Sequence, residues 1–138
     1  MSSFSDTLEN AVLNKVFSNT DFSYPTLYIG LFKSDAGLET DELASAEEVS
    51  FDETGYTRVN ITDNGGFTTA TAGQILNQQD LNFPVAQADW GTITHAAIVS
   101  TDGSDAKIIA WGAMLNPRTI YNGDSIKIPA GALVIQLQ

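Results

Sequence analysis

Beyond residue 25 the chain is cut into short runs of branched and aromatic residues separated by turn formers. The runs are "TLYIGLF" (26–32), "GYTRVNIT" (55–62), "TITHAAIVS" (92–100), "AKIIAWGAML" (106–115) and "DSIKIPAGALVIQLQ" (124–138). Between them stand "DNGG" (63–66), "TDGSD" (101–105) and the pair "NP" and "NG" within 116–123. Short runs broken by turns at intervals of about ten residues predict antiparallel strands, and no strand–helix–strand alternation competes with that reading. The expected fold is mainly β: an antiparallel sandwich or barrel, jelly-roll-like, with one N-terminal amphipathic helix.

The period of two assigns faces. Val59 and Ile61 lie on one side of their strand, and Arg58 and Asn60 on the other. Pro129 and Gly131 split the last run into two strands, with Leu133, Ile135 and Leu137 facing one way and Gln136 and Gln138 the other. The runs 92–100 and 106–115 are apolar on both faces and predict a doubly buried hairpin around "TDGSD".

The first eighteen residues follow a different period. Leu8, Val12, Leu13, Val16 and Phe17 recur at helical spacing, which predicts a helix over 4–18. Asp6 and Glu9 have capping-box spacing, and Phe4 is placed to staple onto the first turn. "SNTDFSYP" ends the helix.

One stretch fits neither pattern. From Ser34 to Thr57 there are eight acids (Asp35, Glu39, Asp41, Glu42, Glu47, Glu48, Asp52, Glu53) and no lysine or arginine. This predicts an acidic loop insertion over 34–54, held outward from a β core formed by 25–33 and 55–138, all within a single domain 1–138.

Seventeen acids against six bases leave a net charge of −11, which repels a phosphate backbone and argues against a nucleic-acid partner. No apolar run approaches the roughly 20 residues that span a bilayer, and the N-terminus lacks the basic and apolar regions of a signal peptide, so no membrane partner is expected. With no cysteine there is no disulfide, no thiolate nucleophile and no thiolate metal site.

Catalytic candidates are few. His95, the single histidine, shares a strand face with Ile93, Ala97 and Val99. Asp89 would have to fold back some 20 Å of strand to orient it as a general base. Ser100 and Thr94 lack a nucleophile elbow. Asp102 and Asp105, and the acids within 35–53, lack the alternating ligand order of a calcium loop. No carboxylate pair is singled out for glycoside hydrolysis. "DNGGF" and "NGDS" lack phosphate-loop spacing and read as turns. Trp90, Trp111, Tyr28, Tyr56 and Tyr121 can line a sugar-binding face or fill a core. Trp90 is open between the two, and Trp111, among apolar neighbours, is assigned to the core. No catalytic, metal or cofactor residue is therefore assigned, no cofactor is expected, and the chain reads as a binding or structural protein and not an enzyme.

The order of segments adds a resemblance. "LENAVLNKVF", "PTLYIGLF", "GYTRV", "NFPVAQADWGTITHAAIV" and "GAMLNPRTIYNGDSIKIPAGALVIQL" follow one another. This order resembles a family of small tailed-bacteriophage virion proteins, commonly labelled tail-fibre or hypothetical structural proteins, with segments such as "LYVGLF", "GGGYAR" and "ADWGTITH". The chain departs from that pattern in the single glycine of "GYTRV" and in the acidic stretch 35–53. The resemblance implies a virion component, assembled in the host cytoplasm and built on a compact β domain. The absence of repeats or of a trimerising coiled segment favours a capsid decoration (cement) protein bound to the major capsid protein lattice, over the alternative, a tail-fibre or tail-tip component contacting the host surface. A polysaccharide-directed hydrolase ranks below both. The expected partners are the major capsid protein or other virion proteins, and further copies of the chain, a trimer being the expected form.

Overall fold

The computed structural model describes residues 2–101 and 105–136. Its elements are β1 (Ser2–Phe4), α1 (Asp6–Ser18), β2 (Leu27–Phe32), β3 (Val59–Asn60), β4 (Gln74–Leu76), β5 (Leu81–Asn82), β6 (Gly91–Ser100), β7 (Ile108–Ile120), β8 (Lys127–Ile128) and β9 (Val134–Gln136). A short 3₁₀ turn spans Thr62–Asn64. Five strands form one antiparallel sheet in the order β1-β7-β6-β2-β3, and the remaining four pair as β4–β9 and β5–β8. The mainly β, antiparallel fold with one N-terminal helix is therefore as expected, in a sandwich-like arrangement without a closed barrel.

The helix starts later than its periodicity predicts. Phe4 lies in β1, opposite Ala110, and packs against the core cluster that contains Leu8. The cap is Ser5 and not Asp6: its backbone is extended and its Oγ accepts a hydrogen bond from the Leu8 amide at 3.3 Å. The fully buried Ser5 also ties the helix to the sheet, since its amide donates to the Ile109 carbonyl at 2.9 Å and its hydroxyl to the Ile108 carbonyl. Asn19, in the left-handed region at φ 53°, closes the other end.

The five-stranded sheet is covered on both faces. On β2, Ile29 and Leu31 enter the main core with Tyr56, Val59, Ile61, Leu81, Phe83 and Trp90. Phe32 enters a second cluster on the opposite face with Leu38, Ala97 and Ile108. Leu38 comes from the acidic segment, so that segment is a cover over the second face and not an outward insertion. Its anchors are specific. Lys33 and Val49 exchange backbone bonds with Glu47 and Leu31. Asp41 accepts from the Ile108 amide at 2.6 Å and from the Thr7 hydroxyl at 2.7 Å. Eight acids crowd this stretch, yet several of them serve as internal hydrogen-bond acceptors.

The β6–β7 hairpin is doubly buried only near its turn, at Ala97 to Val99 and Ile108 to Ala110. Farther along, β7 emerges into solvent, and residues 115–119 are all exposed. The final run splits as expected into β8 and β9, with Leu133 and Ile135 half-buried and Gln136 exposed. Leu137 and Gln138 lie outside the described residues, as do Asp102 and most of the "TDGSD" turn.

Candidate functional site

The polar side chains that invited a catalytic reading are dispersed. His95 sits on β6 opposite Phe32 on one side and Ala113 on the other. Its Nδ1 shares a 2.8 Å hydrogen bond with the Thr94 hydroxyl, and its ring lies 6.0 Å from that of Trp111. Asp89 lies beyond the start of β6, where its carboxylate accepts from the Asn122 amide at 2.9 Å. The two are separated by the strand from Gly91 to His95, about 13 Å of chain. Ser100 is buried and its Oγ accepts from the Lys107 amide at 3.1 Å. Each group has a local structural partner.

The acids assemble differently from the sequence reading. Asp6, Glu9 and Glu39 bring carboxylate oxygens within 4.8 Å of one another, all three exposed. Glu39 also accepts from the Trp111 indole nitrogen at 2.9 Å, which fastens the acidic segment to β7. Trp111 is half-buried against the second cluster and not a full core residue. Asp105 is exposed.

A buried polar centre escaped the sequence reading. Arg58 was expected on a polar strand face, yet its Nε and Nη2 donate to the Glu48 carboxylate at 2.9 and 2.8 Å, with side-chain exposures of 7% and 10%. The Tyr56 hydroxyl donates to Glu48 Oε2 at 2.6 Å and accepts from the Leu31 amide at 3.0 Å. Gly30 makes room for this carboxylate, because a Cβ there would stand 2.8 Å from Glu48 Oε2. Burial pushes the Tyr56 hydroxyl well above its ordinary value, and the adjacent Glu48 charge pushes it further. The group is internal and braces the acidic segment on the sheet.

Trp90 resolves to the core. It is 1% exposed, its indole nitrogen donates to the Thr54 carbonyl at 2.9 Å, and its ring meets that of Tyr56 edge-on at 5.4 Å. Tyr56 is buried too, Tyr28 half-buried, and Tyr121 exposed. The five aromatics do not share one face.

What the surface does offer is apolar. Ile93 pairs with Arg118 and His95 with Ala113, so residues 114–117 of β7 loop out opposite the single residue Thr94. Leu115 rides on this bulge at 95% exposure. The bulge forms one wall of a groove of about 510 Å³, whose other wall is β8 and β9, and whose lining includes Met114, Ile128, Leu133, Val134 and Ile135. The signal for this feature was "NP" at 116–117, which reads as a strand end. Pro117 is tolerated because the residues it interrupts are out of the ladder. Elsewhere, α1 carries a second apolar patch. Leu8 is buried and Val12 partly so, but Leu13, Val16 and Phe17 are exposed. The helical stripe thus enters the core at its N-terminal end alone.

No helix among the described residues is long and apolar enough to cross a membrane. The structural class follows from comparison with protein-family models: this is a structural protein of the bacteriophage virion. The chain belongs to the family described as podophage GP4 fiber I protein gp80, whose model matches residues 3–136. No curated protein matches the sequence.

Proposed function

We propose that the protein is a tail-fibre component of a podophage-type virion and that it works by binding other virion proteins and the host surface, not by catalysis. The observation that carries this reading is the family match, which runs from β1 through β9 and names a fibre protein. The expected capsid decoration role rested on the lack of fibrous repeats, and the match favours the fibre alternative over it. A fibre can be built from small domains joined end to end, so a repeat within one chain is not required. The exposed apolar bulge and helix face supply surface for such joints. The dispersal of His95, Asp89 and Ser100 among local structural partners supports binding over hydrolysis.

The reading is tested by removing the protein from the phage. Particles lacking it should package DNA and keep heads of normal heat resistance, yet fail to adsorb to cells. Particles that adsorb normally but burst on mild heating would instead mark a head decoration protein.

A further inference from the structure

Two apolar surfaces on this chain differ in shape and charge. The first is convex. On α1, Leu13, Val16 and Phe17 are 54%, 66% and 80% exposed and stand at i, i+3 and i+4, the spacing with which an amphipathic helix anchors in a groove. The second is the concave groove between the β7 bulge and β8–β9. The helix cannot reach its own chain's groove with this face. Ser5 clamps its start to β7, and its inward side is already committed through Leu8 and Val12 to the core.

Charge selects the occupant. In a chain of net charge −11, the groove is lined by two of the six basic residues, Arg118 and Lys127, and by no carboxylate. Asp80 approaches Lys127 at 3.9 Å from outside that lining. Lys15 and Asp21 pair with each other at the helix end, which leaves Asp6 and Glu9, both exposed, as the unmatched charges of α1. The carbonyl end of α1, beside Val16 and Phe17, adds the negative pole of the helix dipole. An acidic amphipathic helix therefore fits a basic-rimmed apolar groove, and this chain carries such a helix.

We propose that a second copy of this chain seats the Leu13, Val16 and Phe17 face of its α1 in the groove between the β7 bulge and β8–β9. The contact is head-to-tail, so every copy offers one helix and one groove. Such contacts close into a ring when the rotation permits. The proposal does not depend on where in the virion the protein sits.

The test uses the full chain in sedimentation velocity. Val16→Asp/Phe17→Asp alters only the helix face, and Leu115→Asp only the groove wall. All three positions are exposed, so both variants should keep the wild-type fold by circular dichroism, with the melting temperature of the helix variant slightly lowered because its two carboxylates oppose the negative end of α1. The wild type should associate, and each variant should associate more weakly by over about ten-fold. An equimolar mixture of the two variants should form one-to-one dimers and nothing larger, because it retains one intact helix and one intact groove per pair. A wild type that stays monomeric at the same concentrations would overturn the proposal. So would either variant associating like the wild type, or a mixture that does not pair.

Discussion

Arg58 grips Glu48 through two nitrogens, at 2.9 and 2.8 Å, with both side chains nearly withdrawn from water. Two residues ten apart in the chain thereby hold the acidic segment against the sheet, with Tyr56 completing the carboxylate's partners. Breaking one side of a buried pair leaves the other charge stranded. Glu48→Ala should lower the unfolding free energy by roughly 3–5 kcal/mol. Glu48→Leu with Arg58→Met should cost distinctly less than Glu48→Ala. Denaturant unfolding of the three chains measures this, and a double variant as unstable as the single one would show that the pair is not the source of the loss.

Trp90 joins β6 to the loop before Tyr56 by one indole bond and an aromatic edge contact. Trp90→Ala should cost about 3–5 kcal/mol. Trp90→Phe keeps most of the apolar volume and removes one of two donors to the Thr54 carbonyl, which retains the Gln87 amide at 2.8 Å, so the lost hydrogen bond should cost about 0.5–1.5 kcal/mol. Equal losses for the two substitutions in thermal or denaturant unfolding would contradict this division between packing and hydrogen bonding.

The alkaline limb of stability should report Tyr56. Its hydroxyl is raised well above its ordinary value near 10, first by burial and then by Glu48, so the folded chain holds that proton more tightly than the unfolded chain. Its contribution is fully present below about pH 10 and is lost as the pH rises toward the folded-state value. Tyr24, raised by burial and by Asp41, acts in the same direction. Tyr56→Phe should be less stable at neutral pH, because the Leu31 amide and Glu48 lose a partner, and should lose stability less steeply above pH 10 than the wild type. Unfolding free energies measured across that range decide the point, and parallel slopes would remove Tyr56 from the account.

Much of this frame was legible in the sequence, because period-two runs and turn residues act locally. The β2, β6 and β7 runs, the split at Pro129 and Gly131, and the helix all follow from such patterns. The failures share a cause, which is that tertiary partners override local composition. A stretch with eight acids reads as solvated, yet Leu38 and Val49 anchor it in the core and Asp41 and Glu48 find donors on the sheet or in the strand beside it. Arg58 alternates with apolar residues and reads as surface, yet the same segment encloses it. The bulge at 114–117 depends on how β7 registers against β6, which no single run encodes. The exposed end of α1 has a related origin: its apolar stripe is continuous in sequence, and only the fold shows where the covering layer stops.

His95→Ala should leave adsorption of the phage to its host unchanged, since the imidazole hydrogen-bonds its neighbour Thr94. The purified variant and the wild type should be equally inert toward host surface polysaccharide. Release of reducing ends by the wild type, abolished in the variant, would reinstate the hydrolase.

The most direct measurement of the central claim is where the protein sits on the particle. Gold-labelled antibody against the purified chain, viewed on intact virions by electron microscopy, should decorate the tail end alone, and quantitative mass spectrometry of the same virions should return a small copy number. Label spread evenly over the head, with hundreds of copies per particle, would contradict the fibre assignment and restore the decoration role.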